Sequence, residues 1–285
     1  VDGFYYLIKT DILRRRVFDH EGIQRLLNES KINTDVSIET LDALIDGGYI
    51  QPVLTREDVD TLVHFGLFKP GTKLDNDALV TPQGEHVSAA VDQSRDIIIS
   101  QCLGHSLQHG RIMHGGFFLG PKSFYDGLKN LDEDTLRAIN MTNISYVNQL
   151  YGSETLKRLQ RKKARFINTV FMAHALGAAT SDGLESGRVV SGVGGQYNFV
   201  AQAHELEDGR SILMLKSTRD KNGVTQSNIV WNYGHITIPR HLRDVYVTEY
   251  GIADVRGKCD KEVVAAMLNI ADSRFQPELM AKAKQ

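Results

Sequence analysis

The chain has 285 residues, of which 41% are hydrophobic and 24% charged, with a formal net charge of −2. That composition is ordinary for a globular chain, and the charge gives no electrostatic argument for a nucleic-acid or membrane-surface partner. No apolar stretch approaches the roughly 20 residues of a membrane-spanning helix, and no signal peptide is visible. The length suits one large or two medium domains. Cys102 and Cys259 lie far apart with no CxxC spacing, which fits reduced thiols and a cytoplasmic location better than a disulfide framework. The basic residues Arg14–Arg16 and the cluster Lys157, Arg158, Arg161, Lys162, Lys163 and Arg165 read as solvated helix faces.

In chain order, residues 4–17 carry apolar side chains at helical spacing and predict a helix, and 21–29 predict another. Ser37–Asp46, closed by Gly47 and Gly48, reads as a capped helix with a glycine stop, and 56–65 as one more. Proline and glycine at 70–71 and 82–84 predict an irregular 66–86. Ile97–Ile99 is a β-branched run that predicts a short strand, and Gly115–Gly120 predicts a buried strand ending in a turn. A helix is expected after Pro121, a short strand at 145–147, and a basic helix or turn over 153–164. Strands follow at 165–173, 188–191, 211–216, 236–239 and 245–248, then helices at 260–271 and 275–284. Strands alternating with helices, behind a helical leading region, make this an α/β chain.

Two glycine-punctuated stretches stand out: Ser191-Gly-Val-Gly-Gly-Gln-Tyr-Asn-Phe199 and Val247-Thr-Glu-Tyr-Gly-Ile-Ala-Asp-Val-Arg-Gly257. Without Cβ atoms, backbone N–H groups of the first can approach a thioester carbonyl, a carboxylate or a phosphate, although a plain tight turn has the same composition. The pair, in order and at this spacing, resembles the C-terminal domain of class I coenzyme A transferases of the acetyl-CoA hydrolase/transferase family. Tyr146-Val-Asn148, Ile167-Asn-Thr169 and Phe117-Phe-Leu-Gly120 are weaker matches in the same order. The resemblance covers about 113–285 well and the first twenty residues loosely.

The resemblance implies a NagB/RpiA-like α/β domain formed by 1–20 and 106–285, with 21–105 a largely helical insertion without a counterpart. It implies attack of a glutamate on an acyl-CoA thioester, release of CoA thiolate, and a glutamyl-CoA thioester that passes CoA to an incoming acid. That glutamate would lie three positions before Val1, because Asp2 and Gly3 match the tail of the family's nucleophile segment; the chain, which begins without Met, is expected to be an inactive fragment. Gly194 and Gly195 would donate backbone N–H groups to the oxyanion, helped by the side-chain amide of Asn148, which donates without titrating. Gln196 would contact substrate or cap the loop, Lys221 would give CoA a cationic contact or be a solvated surface lysine, and Phe171 would flank the pantetheine arm or pack in the core. No cofactor is implied, CoA being a substrate. The implied partners are an acyl-CoA, a small carboxylic acid, the N-terminal domain of the same polypeptide and further copies of the chain.

Three other readings compete. Glu249 is an in-chain alternative nucleophile. A sugar-phosphate isomerase-like domain needs an acid/base carboxylate in the glycine loop, and this loop has none. A non-catalytic CoA-binding or oligomerisation module needs only binding. A dinucleotide-binding reading fails on glycine spacing. His105, His109 and His114 have suggestive intervals but no cysteine or carboxylate arranged with them, so no metal centre is expected.

Overall fold

Two hydrophobic cores organise the chain, one built from Phe18–Leu107 and the other from Val170–Leu279. The computed structural model describes residues 2–284. Contacts divide it into two units: the chain up to Val147 with Tyr151–Gln160, and Asn148–Leu150 with everything from Arg161 onward.

The first unit begins with α1 (Asp2–Lys9). This helix is half the length its periodicity predicts, because Asp11 adopts φ 55° and folds Ile12 N–H back onto the Leu7 carbonyl. Helices α2 (Glu21–Asn28), α3 (Ile38–Asp46) and α4 (Arg56–His64) follow at the expected places. Their starts are capped: His20 Nδ1 accepts from Ile23 N–H, Ser37 N–H donates to Thr40, and Thr55 exchanges bonds with Asp58. The stretch expected to be irregular is instead an antiparallel meander of β1 (Lys73–Asp75), β2 (Ala78–Val80) and β3 (His86–Ser88). Its first turn is Asn76-Asp77, both at positive φ, a hairpin signal that the prolines mask. The expected strand at Ile97–Ile99 is helical: α5 (Arg95–Ile97) runs into a π-helical turn at Ile98–Cys102. Ile98 and Cys102, one turn apart, both reach the core, whereas Ile99 faces out.

The chain enters this core at Val17 and leaves it at Arg111, and those two residues exchange backbone hydrogen bonds of 2.8 and 2.7 Å. Strand β4 (Met113–Gly115) then pairs in parallel with β5 (Ile139–Met141), around α6 (Lys122–Lys129) and α7 (Glu133–Ala138). The buried strand expected through Gly120 stops at Gly115, and Phe117 and Leu119 are 58% and 70% exposed. The expected strand at 145–147 is a short helix, α8 (Ile144–Asn148). Helix α9 (Glu154–Gln160) packs on α2 and buries Lys157, whose Nζ donates to the Tyr151 carbonyl and lies 4.6 Å from the Tyr146 ring centroid. Lys157 is therefore not on a solvated face, since it is only 2% exposed. The α2–α9 packing, with the backbone bonds of Leu107 N–H to Thr34 and of Gln108 N–H to Phe65, accompanies a grouping of 106–147 and 151–160 in the same unit as 21–105, a different partition from boundaries at 20 and 105.

In the second unit, β6 (Arg165–Thr169), β9 (Arg210–Met214) and β13 (Val245–Thr248) run parallel, with β14 (Gly251–Asp254) antiparallel at the edge. Burial alternates along β13, and Leu213, Tyr246 and Ala253 share a core with Val200 of α10 (Gln196–Glu205) and Val263 and Met267 of α11 (Asp260–Asn269). The phenol of the fully buried Tyr246 donates to the Gly177 carbonyl at 2.8 Å. The single strand expected at 165–173 is two. Val170 N–H bonds to Met214 and Phe171 N–H to Thr180, so the chain passes there to a second sheet of β7 (Met172–His174), β8 (Ala179–Thr180) and β12 (Ile229–Val230). The expected strands at 188–191 and 236–239 reduce to isolated bridges at Val189 and Ile238. The hairpin β10 (Thr218–Lys221) and β11 (Val224–Ser227) turns on Asn222-Gly223, both at positive φ. Helix α12 (Gln276–Ala283) closes the chain.

Candidate functional site

The glycine loop ends where α10 begins. Gly195 is the N-cap of this ten-residue helix, and Gly194 before it has φ 59°, a conformation that costs other residues. The first N–H groups of a helix have no partner within it, and with the helix dipole they favour negative charge at that end. Asn148 is brought to the same place. A methyl group on Gly195 would lie 2.9 Å from Asn148 Nδ2 and 3.0 Å from Oδ1, so glycine is what lets the carboxamide approach the helix cap.

Gln196 completes the cluster. Its Nε2 donates to the Thr169 carbonyl at the end of β6 (2.8 Å), while its Oε1 is buried and without a partner among the described residues. Asn168 Nδ2, on the same strand, is likewise buried and unpartnered there. Buried polar atoms of this kind are uncommon, and they gather at sites that receive ligands or ordered water. Val193 and Tyr197 flank the loop as exposed apolar groups. Phe171, two residues beyond Thr169, is 42% exposed rather than packed in the core.

The stem of the loop is held by Asp182. Its carbonyl accepts from Val190 N–H (2.8 Å) and Ser191 N–H (3.2 Å). Its carboxylate accepts from the Thr237 hydroxyl and lies 3.1 Å from His235 Nε2. The Thr237 hydrogen bond, followed by that of His235, keeps this carboxyl below the usual aspartate range.

The structure thus gathers Asn148, Gly194, Gly195 and Gln196. Lys221 stands apart at the tip of an exposed hairpin, paired with Val224, and no hydrogen bond of the cluster includes it. Glu249 accepts from Ser217 N–H at 2.9 Å, so its carboxylate is engaged in holding a turn. Two of the three histidines take separate partners: His109 stacks on His64 with centroids 4.5 Å apart, and His114 Nε2 lies 3.4 Å from Asp19. Among the described residues no three His, Cys, Asp or Glu side chains come together to hold a metal ion, and no helix is long and apolar enough to cross a membrane. Val1, the first residue matched to the tail of the expected nucleophile segment, lies outside the described residues.

Sequence reading passed over α10 and Gln202. Phe199, Val200, Ala203 and Leu206 do repeat at helical spacing just after Gly195, and that signal marks the helix.

Residues 120–283, more than half of the chain, match the family model of the acetyl-CoA hydrolase/transferase C-terminal domain. The 4-hydroxybutyrate coenzyme A transferase of Clostridium kluyveri is 28% identical over 170 residues, which are 59% of this chain and 37% of that protein. The butyryl-CoA:acetate CoA-transferase of Anaerostipes caccae is 30% identical over 176 residues, 59% of this chain and 36% of its own length. Among solved structures, RipA from Yersinia pestis superposes with a TM-score of 0.50 at 28% identity, covering 61% of this chain and 37% of that one. The matched part therefore spans little more than a third of each relative.

Proposed function

The chain belongs to the acetyl-CoA hydrolase/transferase family through that C-terminal domain, and from this premise we propose that its second unit binds and activates the thioester of a short-chain acyl-CoA. The observation that carries the reading is the seating of the Asn148 carboxamide against Gly195 at the start of α10. Attack on a thioester carbon turns the carbonyl oxygen into an oxyanion, and fixed neutral donors stabilise it without proton transfer. Asn148 Nδ2–H, together with backbone N–H groups at Gly194–Gln196, supplies such donors.

In this reading a glutamate carboxylate adds to the acyl-CoA carbonyl, and the C–S bond breaks to give an acyl-glutamyl anhydride and CoA thiolate. The thiolate attacks the glutamyl carbonyl of the anhydride and releases the carboxylic acid as its anion, leaving glutamyl-CoA. An incoming carboxylate repeats the steps in reverse, whereas water arriving instead makes the reaction a hydrolysis. The glutamate is the one that the resemblance puts upstream of Val1. The substrates assigned are an acyl-CoA and a small carboxylic acid, in keeping with the relatives' names.

The test is acetyl-CoA turnover, with and without acetate or propionate, by the chain and by a version extended upstream, each also as Asn148→Ala. We expect turnover in the extended protein and a fall in kcat of about 100-fold on losing the Asn148 donor, with little change in KM. An Asn148→Ala protein as active as its parent would overturn the oxyanion role. Full turnover by the chain alone would move the search for the nucleophile to Glu249.

A further inference from the structure

We propose that Gln202 is a positioning residue that sets Asn148 at the glycine loop, held in its own orientation by Arg161; the proposal rests on the oxyanion reading above. Gln202 lies on α10, about 10 Å along the helix from Gly195 at 1.5 Å per residue. It is 2% exposed, an uncommon place for a glutamine unless both ends of its amide are used. Both are used. Nε2 donates to the backbone carbonyl of Asn148, and Oε1 accepts from Arg161 Nη1.

The chemistry of Arg161 decides which way the amide points. A guanidinium only donates, so the amide edge facing it must be the oxygen, which leaves the NH2 edge for the Asn148 carbonyl. Asn148 needs such an anchor. It is the last residue of a five-residue helix, and Gly152 and Ser153 just beyond it are both at positive φ, so local structure alone fixes it weakly. Gly195 and Gln202 sit on one helix, so clamping the Asn148 backbone from Gln202 puts the carboxamide and the helix cap in one rigid frame. Displacing a catalytic group by about 1 Å can cost on the order of 100-fold in rate. Gln202 touches none of the reacting atoms in this scheme and acts only through Asn148.

The test compares Gln202→Met, which keeps length but makes neither bond, with Gln202→Glu, which keeps the Arg161 bond but offers the Asn148 carbonyl no donor. In both variants the NMR amide signals of Asn148 Nδ2H2 and Gly195 N–H should shift from their parental positions, whether or not the protein turns over. In the upstream-extended protein kcat should fall about tenfold with KM within about twofold, and in an Asn148→Ala background the further loss should be under about twofold.

Unmoved Asn148 and Gly195 signals beside a lowered Tm would overturn the proposal and leave Gln202 merely structural. So would a full additional loss in the Asn148→Ala background. If Gln202→Met fails to fold, Gln202→Glu decides alone, because it keeps the Arg161 partner. Displaced signals together with an Asn148→Ala protein of parental activity would overturn the oxyanion reading and keep the positioning role.

Discussion

At Asp244 a carboxylate with no exposed side-chain surface is ringed by donors. Arg210 Nε lies 2.8 Å from Oδ1, Arg256 Nη2 lies 2.9 Å from Oδ2, and Ser211 N–H donates to Oδ2 at 2.7 Å. It joins the starts of β9 and β13. Removing one partner of such a group strands the opposite charges in a poorly solvated place, and Asp244→Ala should lower unfolding stability by about 3 kcal/mol in urea titration. A loss under about 1 kcal/mol would mean that solvent already screens the cluster. None of this is visible in sequence, where Asp244 follows Arg243 and looks like a surface charge. Gly194 and Gly195 were legible because backbone conformation and close approach demand glycine itself. Asn148 was legible only beside a family pattern. Gln202 was not legible, since its role depends on a contact with a residue 54 positions away.

Elements meet at Asp19, just ahead of α2. Its carboxylate lies 3.4 Å from His114 of β4 and accepts from Gln160 of α9 (2.9 Å) and Arg111 (3.3 Å). The His114 hydrogen bond, with Gln160 and Arg111 adding to it, lowers this carboxyl from the usual range to about 2. A depressed carboxyl stabilises the fold above its unfolded pKa, near 4, and that contribution is lost as pH falls toward 2. Asp19→Asn should therefore flatten the fall in Tm between about pH 4 and pH 2 and leave its slope above pH 5 unchanged. Equal acid sensitivity in parent and variant would refute the linkage. Elements with local start and stop signals were legible in sequence: α2, α3, α4, α11 and β13 fall within a residue or two of expectation. The misses have local physical causes. The run Ile97–Ile99, which leads into the π-helical turn, reads as β because its residues are branched, and α1 stops early because one aspartate enters a left-handed conformation. The break between β6 and β7 depends on which sheet each amide meets, information that no local window holds.

Across the molecule the two cores draw on different stretches of chain, and the first is nearly self-contained between Phe18 and Leu107. Residues 17–111 produced alone should unfold cooperatively in urea and show dispersed amide signals, since their apolar side chains already have their partners. A molten, non-cooperative product would show that the core needs the rest of its unit. The broad α/β class was legible from alternation alone, whereas the grouping of 106–147 with the first core was not, because it rests on bonds between distant segments such as Leu107 to Thr34 and Gln108 to Phe65. The doorway at Val17 and Arg111, where the chain departs and comes back side by side, bears on how such a protein changes over generations. An excursion whose two ends already touch can be spliced out, or a different one spliced in, at a single seam and without stretching the host backbone. Some ninety residues can thus be gained or discarded in one genetic event, and the rest of the chain has no distance to make up.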